Sequence, residues 1–205
     1  TDTRFVFDGP RTLRVTGNRY PLAGYPLPHL VPFVEEVLGV PIREEDIAQE
    51  RPDPVAGAPN TNPGFLEALK AALPEDRISD DPKERLIHSH GQLSVDEIYR
   101  VIYKGDLQKT VDLVVYPHSE EDVRAIVRLA TEHDVCLVPY GGGTNVSGAL
   151  ACPGEEGRMI VSVDMRPMSR ILWIDEENNQ ACVEAGIYGK VLERELDALG
   201  YTSGH

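Results

Sequence analysis

The residues best suited to chemistry are Gly141-Gly142-Gly143-Thr144-Asn145, which follow an apolar stretch ending at Tyr140. Three consecutive glycines leave backbone N–H groups uncovered, so an anionic group such as a pyrophosphate can approach the main chain closely. Thr144 and Asn145 add side-chain donors. A P-loop needs Gly-Lys followed by Ser or Thr, and this run has no lysine. A G-x-G-x-x-G fingerprint needs a third glycine where Val146 stands, and a helix after it. The residues that follow, Ser147-Gly148-Ala149-Leu150-Ala151-Cys152-Pro153-Gly154, have no amphipathic period. Asp164 lies at the distance of that fingerprint's acid, but it reads as the end of a strand and its spacing as coincidence. Two readings stay open on spacing alone. One is a strand-to-strand loop lying along a dinucleotide pyrophosphate, and the other is a tight turn with no ligand.

Other reactive side chains read more plainly. His88 and His90 flank Ser89 without the companion ligands a zinc site needs, so they read as structural or surface residues, with a place near a cleft as the alternative. His29, His118 and His133 fall at turns or helix ends and read as solvated. Glu120-Glu121-Asp122 opens a helix, where acids favourably meet the dipole. Trp173 reads as core packing. Glu184 reads as a structural strand end, or as a residue facing a cofactor. Cys136, Cys152 and Cys182 form no C-x-x-C pair and are odd in number, which suits buried thiols in a reducing compartment.

The elements that must position the glycine run begin near residue 110. Val111 to Tyr116, closed by Pro117, predicts a buried strand. Ser119 and Asp122 predict a helix start, and Val123, Ile126, Val127 and Ala130 carry the helix to about His133. Val135 to Tyr140 predicts a second strand, parallel to the first as in a βαβ unit. Met159 to Asp164, Arg170 to Ile174 and Ala181 to Glu184 read as further strands, with a hairpin turn at Glu176-Glu177-Asn178-Asn179. A helix from Gly189 to Leu199 would turn Val191, Leu192, Leu196 and Leu199 inward and stop at Gly200. Tyr201 would begin another strand, so the chain reads as a truncated piece.

Upstream, residues 1–84 hold most of the prolines, including Tyr20-Pro21-Leu22 and Pro52-Asp53-Pro54. Helices are predicted at 29–38, with Leu30, Phe33, Val34 and Val37 on one face and Gly39 as the stop, and at 64–73, with Phe65, Leu66 and Leu69 apolar and Pro74 after it. Ser94 and Glu97 resemble a capping box within 85–103.

The 205 residues are 41% hydrophobic and 26% charged, which suits a buried core. A net charge of −14 repels nucleic acid and anionic lipid at long range, though it does not forbid one local basic pocket. No 18-residue apolar window appears. The first residue is Thr1 and no signal-peptide pattern follows.

Val138-Pro139-Tyr140-Gly141-Gly142-Gly143-Thr144-Asn145-Val146-Ser147-Gly148 resembles the pyrophosphate loop of the vanillyl-alcohol oxidase and p-cresol methylhydroxylase (PCMH) type of FAD domain. Asp112-Leu113-Val114-Val115-Tyr116-Pro117, Ser119 to Val123 and Val183-Glu184-Ala185-Gly186-Ile187 share that resemblance. Within the superfamily, further blocks resemble the alkyldihydroxyacetonephosphate synthase family. They are Gly17 to Leu22, Arg85 with His88-Ser89-His90-Gly91, Arg170 to Asp175, Leu192 to Leu196 and Gly200 to His205.

The resemblance implies an α+β fold with two α+β subdomains, the second truncated, behind an N-terminal helical and irregular lead-in. Residues 1–109 would be the lead-in and 110–205 the FAD-binding domain. FAD is the implied cofactor, with Pro139, Tyr140, Gly141, Gly142, Gly143, Thr144 and Asn145 as its contacts. Val146 and Ser147 would border the loop, and Gly204 and His205 are weaker candidates. The implied activity replaces the acyl group of acyl-dihydroxyacetone phosphate with a long-chain alcohol through a flavin N5 adduct, forming the ether bond of ether lipids. The family's catalytic residues lie in a C-terminal part absent here, so none is assigned. The fragment alone is expected to be inactive and to bind FAD weakly. No metal is implied. A small lipid substrate is implied and no nucleic acid, and the family allows peripheral membrane association and a homodimer. Its location would be peroxisomal, and otherwise cytoplasmic. The alternatives are an FAD-linked oxidoreductase of a 2-hydroxy acid such as D-lactate or glycolate, and a non-catalytic binding module.

Overall fold

The computed structural model describes residues 5–17, 22–47, 56–91, 95–101, 107 and 109–204. Packing divides the chain into two units, Thr1–Asp53 and Pro54–His205. The Tyr20-Pro21 and Pro52-Asp53-Pro54 turns, Ser94 of the capping box, and His205 lie outside the described residues.

The first unit pairs β1 (Phe5–Phe7), β2 (Leu13–Val15) and β3 (Pro26–Leu27) into an antiparallel sheet in that order. Helix α1 (Leu30–Leu38) ends at Gly39, whose φ of 67° lets its N–H reach the Glu35 carbonyl at 2.8 Å. A short helix α2 (Glu44–Ile47) follows. The apolar face of α1 is only partly covered, with Leu30 and Val34 half-buried. Phe33 and Val37 are 61% and 64% exposed, and Val31 is the buried residue of the helix. The periodicity found an apolar face, but strands of three, three and two residues give this unit little to bury it against.

The second unit is built on a four-stranded sheet. Its strands are β4 (Ile78–Ser79), β5 (Leu113–Val115), β6 (Cys136–Tyr140) and β7 (Ile160–Asp164), in the order β4-β5-β7-β6. Strands β5, β7 and β6 are mutually parallel, and β4 runs antiparallel to β5. The parallel relation of β5 and β6 is as the βαβ pattern predicts, but the two do not touch, because β7 lies between them. All five β7 residues are buried, so the centre is the position where both its edges and both its faces are covered.

Alternate residues sort to the two faces. Leu113, Val115, Val161 and Val163 meet α3 (Pro63–Ala72) and α6 (Glu120–Glu132) through Phe65, Leu69, Ile126, Leu129 and Ala130. Val114, Val138, Tyr140 and Ile160 face the other way, under Leu150. Helix α6 opens where predicted, with Ser119 Oγ accepting the Asp122 N–H at 3.1 Å. Asn62 caps α3 by accepting from Phe65 N at 3.0 Å and ties it to α6 by donating to the His133 carbonyl at 3.0 Å. Asp112 accepts the N–H groups of Asn60 (2.8 Å) and Ile160 (2.7 Å). Residues 56–91 thus add a helix and an edge strand to this sheet, together with a 3₁₀ turn (Glu75–Arg77) and α4 (Pro82–Ile87). A five-residue helix, α5 (Val95–Tyr99), follows.

Beyond the sheet, β8 (Ile171–Asp175) and β9 (Gln180–Val183) form a hairpin. Asp175 accepts the Glu177 and Asn178 N–H groups, and Asn179 takes the left-handed conformation at φ 51°. Trp173 is not core: it is 52% exposed, as is its neighbour Leu172 at 53%. Both residues sit where the β8–β9 register slips, between Ile171 and Trp173, and neither side chain is covered there. Helix α7 (Gly189–Ala198) buries Leu196, half-buries Val191 and Leu192, and leaves Leu199 exposed.

Candidate functional site

Strands β5, β7 and β6 all end on one edge of the sheet, the edge where parallel α/β sheets gather their ligands. Strand β6 lies at the side of the sheet, which tolerates the missing N–H of Pro139. Tyr140 closes that strand and the chain turns into an open groove of about 330 Å³, lined by Gly141 to Ser147 with Ala149 and Leu150. That volume is at the low end for a ligand cleft, enough for the middle of a dinucleotide (about 300–1,000 Å³ in general). A Cβ placed on Gly141 would meet nothing within 4 Å, so the glycine face is open to a ligand. Gly143 at φ 68° and Gly148 at φ 74° use the backbone freedom that side chains penalise.

Asn145 has a different job from the one its side chain suggested. It sits at φ 53°, its Oδ1 accepts the Leu150 N–H at 2.8 Å, and its Nδ2 donates to both Glu97 carboxylate oxygens at 2.9 Å. Glu97 also accepts the Gly91 N–H at 2.9 Å. The Asn145 amide is therefore spent on holding the loop's shape, and Glu97 ties that loop to the segment after His88-Ser89-His90. Thr144 stays exposed, and Val146 is 91% exposed.

Beneath the loop lies a polar cluster. Tyr140 is buried, with its ring 4.3 Å from the His88 ring and under the Arg166 guanidinium at 5.5 Å. Asp164, the register partner of Tyr140, is fully buried. It accepts from His88 Nε2 at 2.8 Å, from Arg166 N at 3.0 Å and from Arg166 Nε at 2.9 and 2.8 Å. Burial would raise its pKa, but the bonds from His88 and Arg166 outweigh that and hold it below the ordinary aspartate value. Burial and the neighbouring Glu84 carboxylate push Tyr116 upward, so it stays a neutral donor to Glu84 at 3.1 Å.

The structure thus brings Pro139 to Asn145 together at one sheet edge. Glu184 is not at the loop; it accepts from Arg170 N, Nε and Nη2 at 2.7–3.1 Å. His88 is a buried partner of Asp164, and His90 is buried with Nδ1 3.0 Å from the Gly91 carbonyl. Sequence reasoning set Asp164 aside as a coincidence of spacing, read Glu97 as half of a capping box and passed over Arg166, whereas all three hold the loop or the cluster beside it. A usable signal was present: an aspartate ending an otherwise apolar strand must find buried partners. Gly186 is fixed by packing, since a Cβ there would stand 1.7 Å from the Met165 carbonyl oxygen. No group of three or more metal-ligating side chains occurs among the described residues.

The FAD binding domain family matches residues 111–205. Alkyldihydroxyacetonephosphate synthase of Caenorhabditis elegans is 35% identical over 207 residues, covering 100% of this chain and 34% of that protein. A solved structure of alkyldihydroxyacetonephosphate synthase superposes with a TM-score of 0.76 at 32% identity, over 100% of this chain and 37% of that one. p-Cresol methylhydroxylase shares the fold with a TM-score of 0.50 at 18% identity, over 71% of this chain and 27% of that one. The chain spans about a third of the length of the curated relatives it matches. Full-length similarity of this kind, on a parallel sheet edge that ends in an open glycine turn, makes the chain a homologue of the alkyldihydroxyacetonephosphate synthases over about a third of their length, with a PCMH-type domain whose cofactor is FAD.

Proposed function

We propose that the protein is an FAD-dependent transferase that forms the ether bond of ether lipids. It would exchange the acyl group of acyl-dihydroxyacetone phosphate for a long-chain alcohol and release a fatty acid. The observation that supports this reading is likeness to alkyldihydroxyacetonephosphate synthases along the whole chain, residues 1–110 included. FAD, when bound, supplies a ring nitrogen that can hold the substrate carbon while one oxygen substituent replaces another without net electron transfer.

The part played by these residues is binding. Gly141, Gly142 and Gly143 would present backbone N–H groups to the diphosphate, Thr144 a hydroxyl, Pro139 and Tyr140 the fixed strand end, and Asn145 the loop's shape. Peripheral membrane association, a homodimer and a peroxisomal location are part of the same proposal and rest on the family resemblance.

Product analysis tests it. Acyl-dihydroxyacetone phosphate and hexadecanol should give alkyl-dihydroxyacetone phosphate and fatty acid with no electron acceptor consumed. Flavin bleaching by D-lactate or glycolate, with no ether product, would replace this reading by the oxidoreductase one. At the loop, a Cβ on Gly142 would already touch the Tyr188 ring at 3.7 Å and Thr144 at 3.9 Å, so the two further methyls of Gly142→Val would crowd these neighbours or the groove that Gly142 lines. Its flavin content should fall sharply.

A further inference from the structure

The glycine turn binds through its backbone, yet a cation beside it has no assigned role. Arg166 follows β7, and Met165 between them donates its N–H to the Tyr140 carbonyl at 2.9 Å. The Arg166 side chain is 36% accessible while the Asp164 side chain is fully buried. Its Nε and Nη2 bind Asp164, and Nη1 takes part in none of those bonds. Its guanidinium lies over the ring of Tyr140, the residue before Gly141, and within electrostatic reach of Tyr188, whose ring flanks Gly142. Arg166 thus follows the end of β7, beside the end of β6 from which the glycine turn leaves.

The carboxylate behind it is held from two sides. His88 Nε2 lies 2.8 Å from Asp164, and His88 Nδ1 lies 2.7 Å from the Glu84 carbonyl oxygen, so both ring nitrogens are engaged and the ring is fixed against Asp164. The Glu84 carboxylate is half-exposed and turned to the Tyr116 hydroxyl. In a chain of net charge −14, Arg166 is a partly accessible cation at the end of the strand beside the glycine turn. A guanidinium fixed on one side by a carboxylate presents its remaining N–H groups in the planar fork that phosphate oxygens fit.

We propose that Arg166, braced by Asp164 and positioned by His88, is a phosphate-binding residue of the glycine turn that contacts the diphosphate of the bound dinucleotide. This rests on the FAD-binding reading. Its place beside Gly141 and Gly142 favours the cofactor's diphosphate over the phosphate monoester of a substrate.

Fluorescence titration of the apoprotein with FAD and with riboflavin, which has no phosphate, tests it. Arg166→Gln should weaken FAD by about tenfold or more, the scale of a hydrogen bond to a charged group, and leave riboflavin unchanged. His88→Gln keeps a donor for Asp164 but loses the ring that fixes it. It should weaken FAD and leave riboflavin unchanged, whereas a merely structural role would weaken both and lower the melting temperature. Unchanged FAD affinity in Arg166→Gln overturns the proposal, and weakened binding of dihydroxyacetone phosphate in that case would mark the residue as a substrate contact. Equal weakening of FAD and riboflavin also overturns it. A wild-type protein that binds no flavin overturns this proposal and the FAD reading together, whereas failure of the variant alone touches only Arg166.

Discussion

Asn145 combines a left-handed backbone with an amide that bonds Glu97 and Leu150. Both halves can be tested separately. Asn145→Gly keeps the backbone conformation at no steric cost and loses the amide, whereas Asn145→Asp keeps much of the conformational tolerance but sets a carboxylate against Glu97. The aspartate variant should lose more FAD affinity than the glycine variant, read by flavin fluorescence, and a double variant with Glu97→Gln should recover part of it. A second prediction concerns Cys152, whose thiol burial pushes up to about 11. Alkylation by iodoacetamide at that site, followed by peptide mass spectrometry, should be slow at pH 8 and rise with a midpoint near 11. The glycine run was legible in the sequence because local backbone freedom is written in residue type. The partners that shape it were not, since Asn145 lies 48 residues from Glu97 and His88 lies 76 from Asp164. Neither bond leaves a local spacing to read.

Helices and strands were legible where caps and periods are local: Ser119 opens α6, Gly39 closes α1, and Asp175 with Asn179 turns the hairpin. Ser119→Ala should cost about 1 kcal/mol, the usual worth of an N-cap, seen as a lower urea midpoint. What hydrophobic period did not reveal was whether a partner covers each face, hence the exposed Phe33 of α1 and the exposed Trp173 of β8. Gly186 marks a join between elements. It donates to the Met168 carbonyl at 2.8 Å and leaves no room for a Cβ against Met165. Gly186→Ala should destabilise by about 3 kcal/mol, the upper end for overpacking, because the obstructing atom is backbone that cannot rotate away. Calorimetry would check this, and an unchanged melting temperature would count against the packing seen here.

Across the whole chain, 34 acidic residues face 20 basic ones, and the buried Asp164 and Glu184 hold their protons less tightly than usual. Bonds to His88 and Arg166 lower Asp164, overcoming its burial, and bonds from Arg170 lower Glu184. A carboxylate depressed on folding contributes stability that is fully present above its unfolded pKa and is lost as pH falls through its folded one. The urea midpoint should therefore hold near pH 7 and drop once pH passes below the ordinary values of 3.8 and 4.5. Asp164→Asn should be destabilised at pH 7 and converge with the parent in acid.

Strand β7 lies between β5 and β6 although it follows both. Strands β5 and β6 therefore have no lasting claim on each other, and Leu113 must wait for Val161 to become its neighbour. That makes the sheet's closure a long-range event, with the slow kinetics such pairings bring. During synthesis the glycine turn would emerge before the strand that anchors it, so a nascent chain halted near residue 155 should carry α6 and the turn without a sheet to hold them, open to chaperones and proteases until β7 arrives.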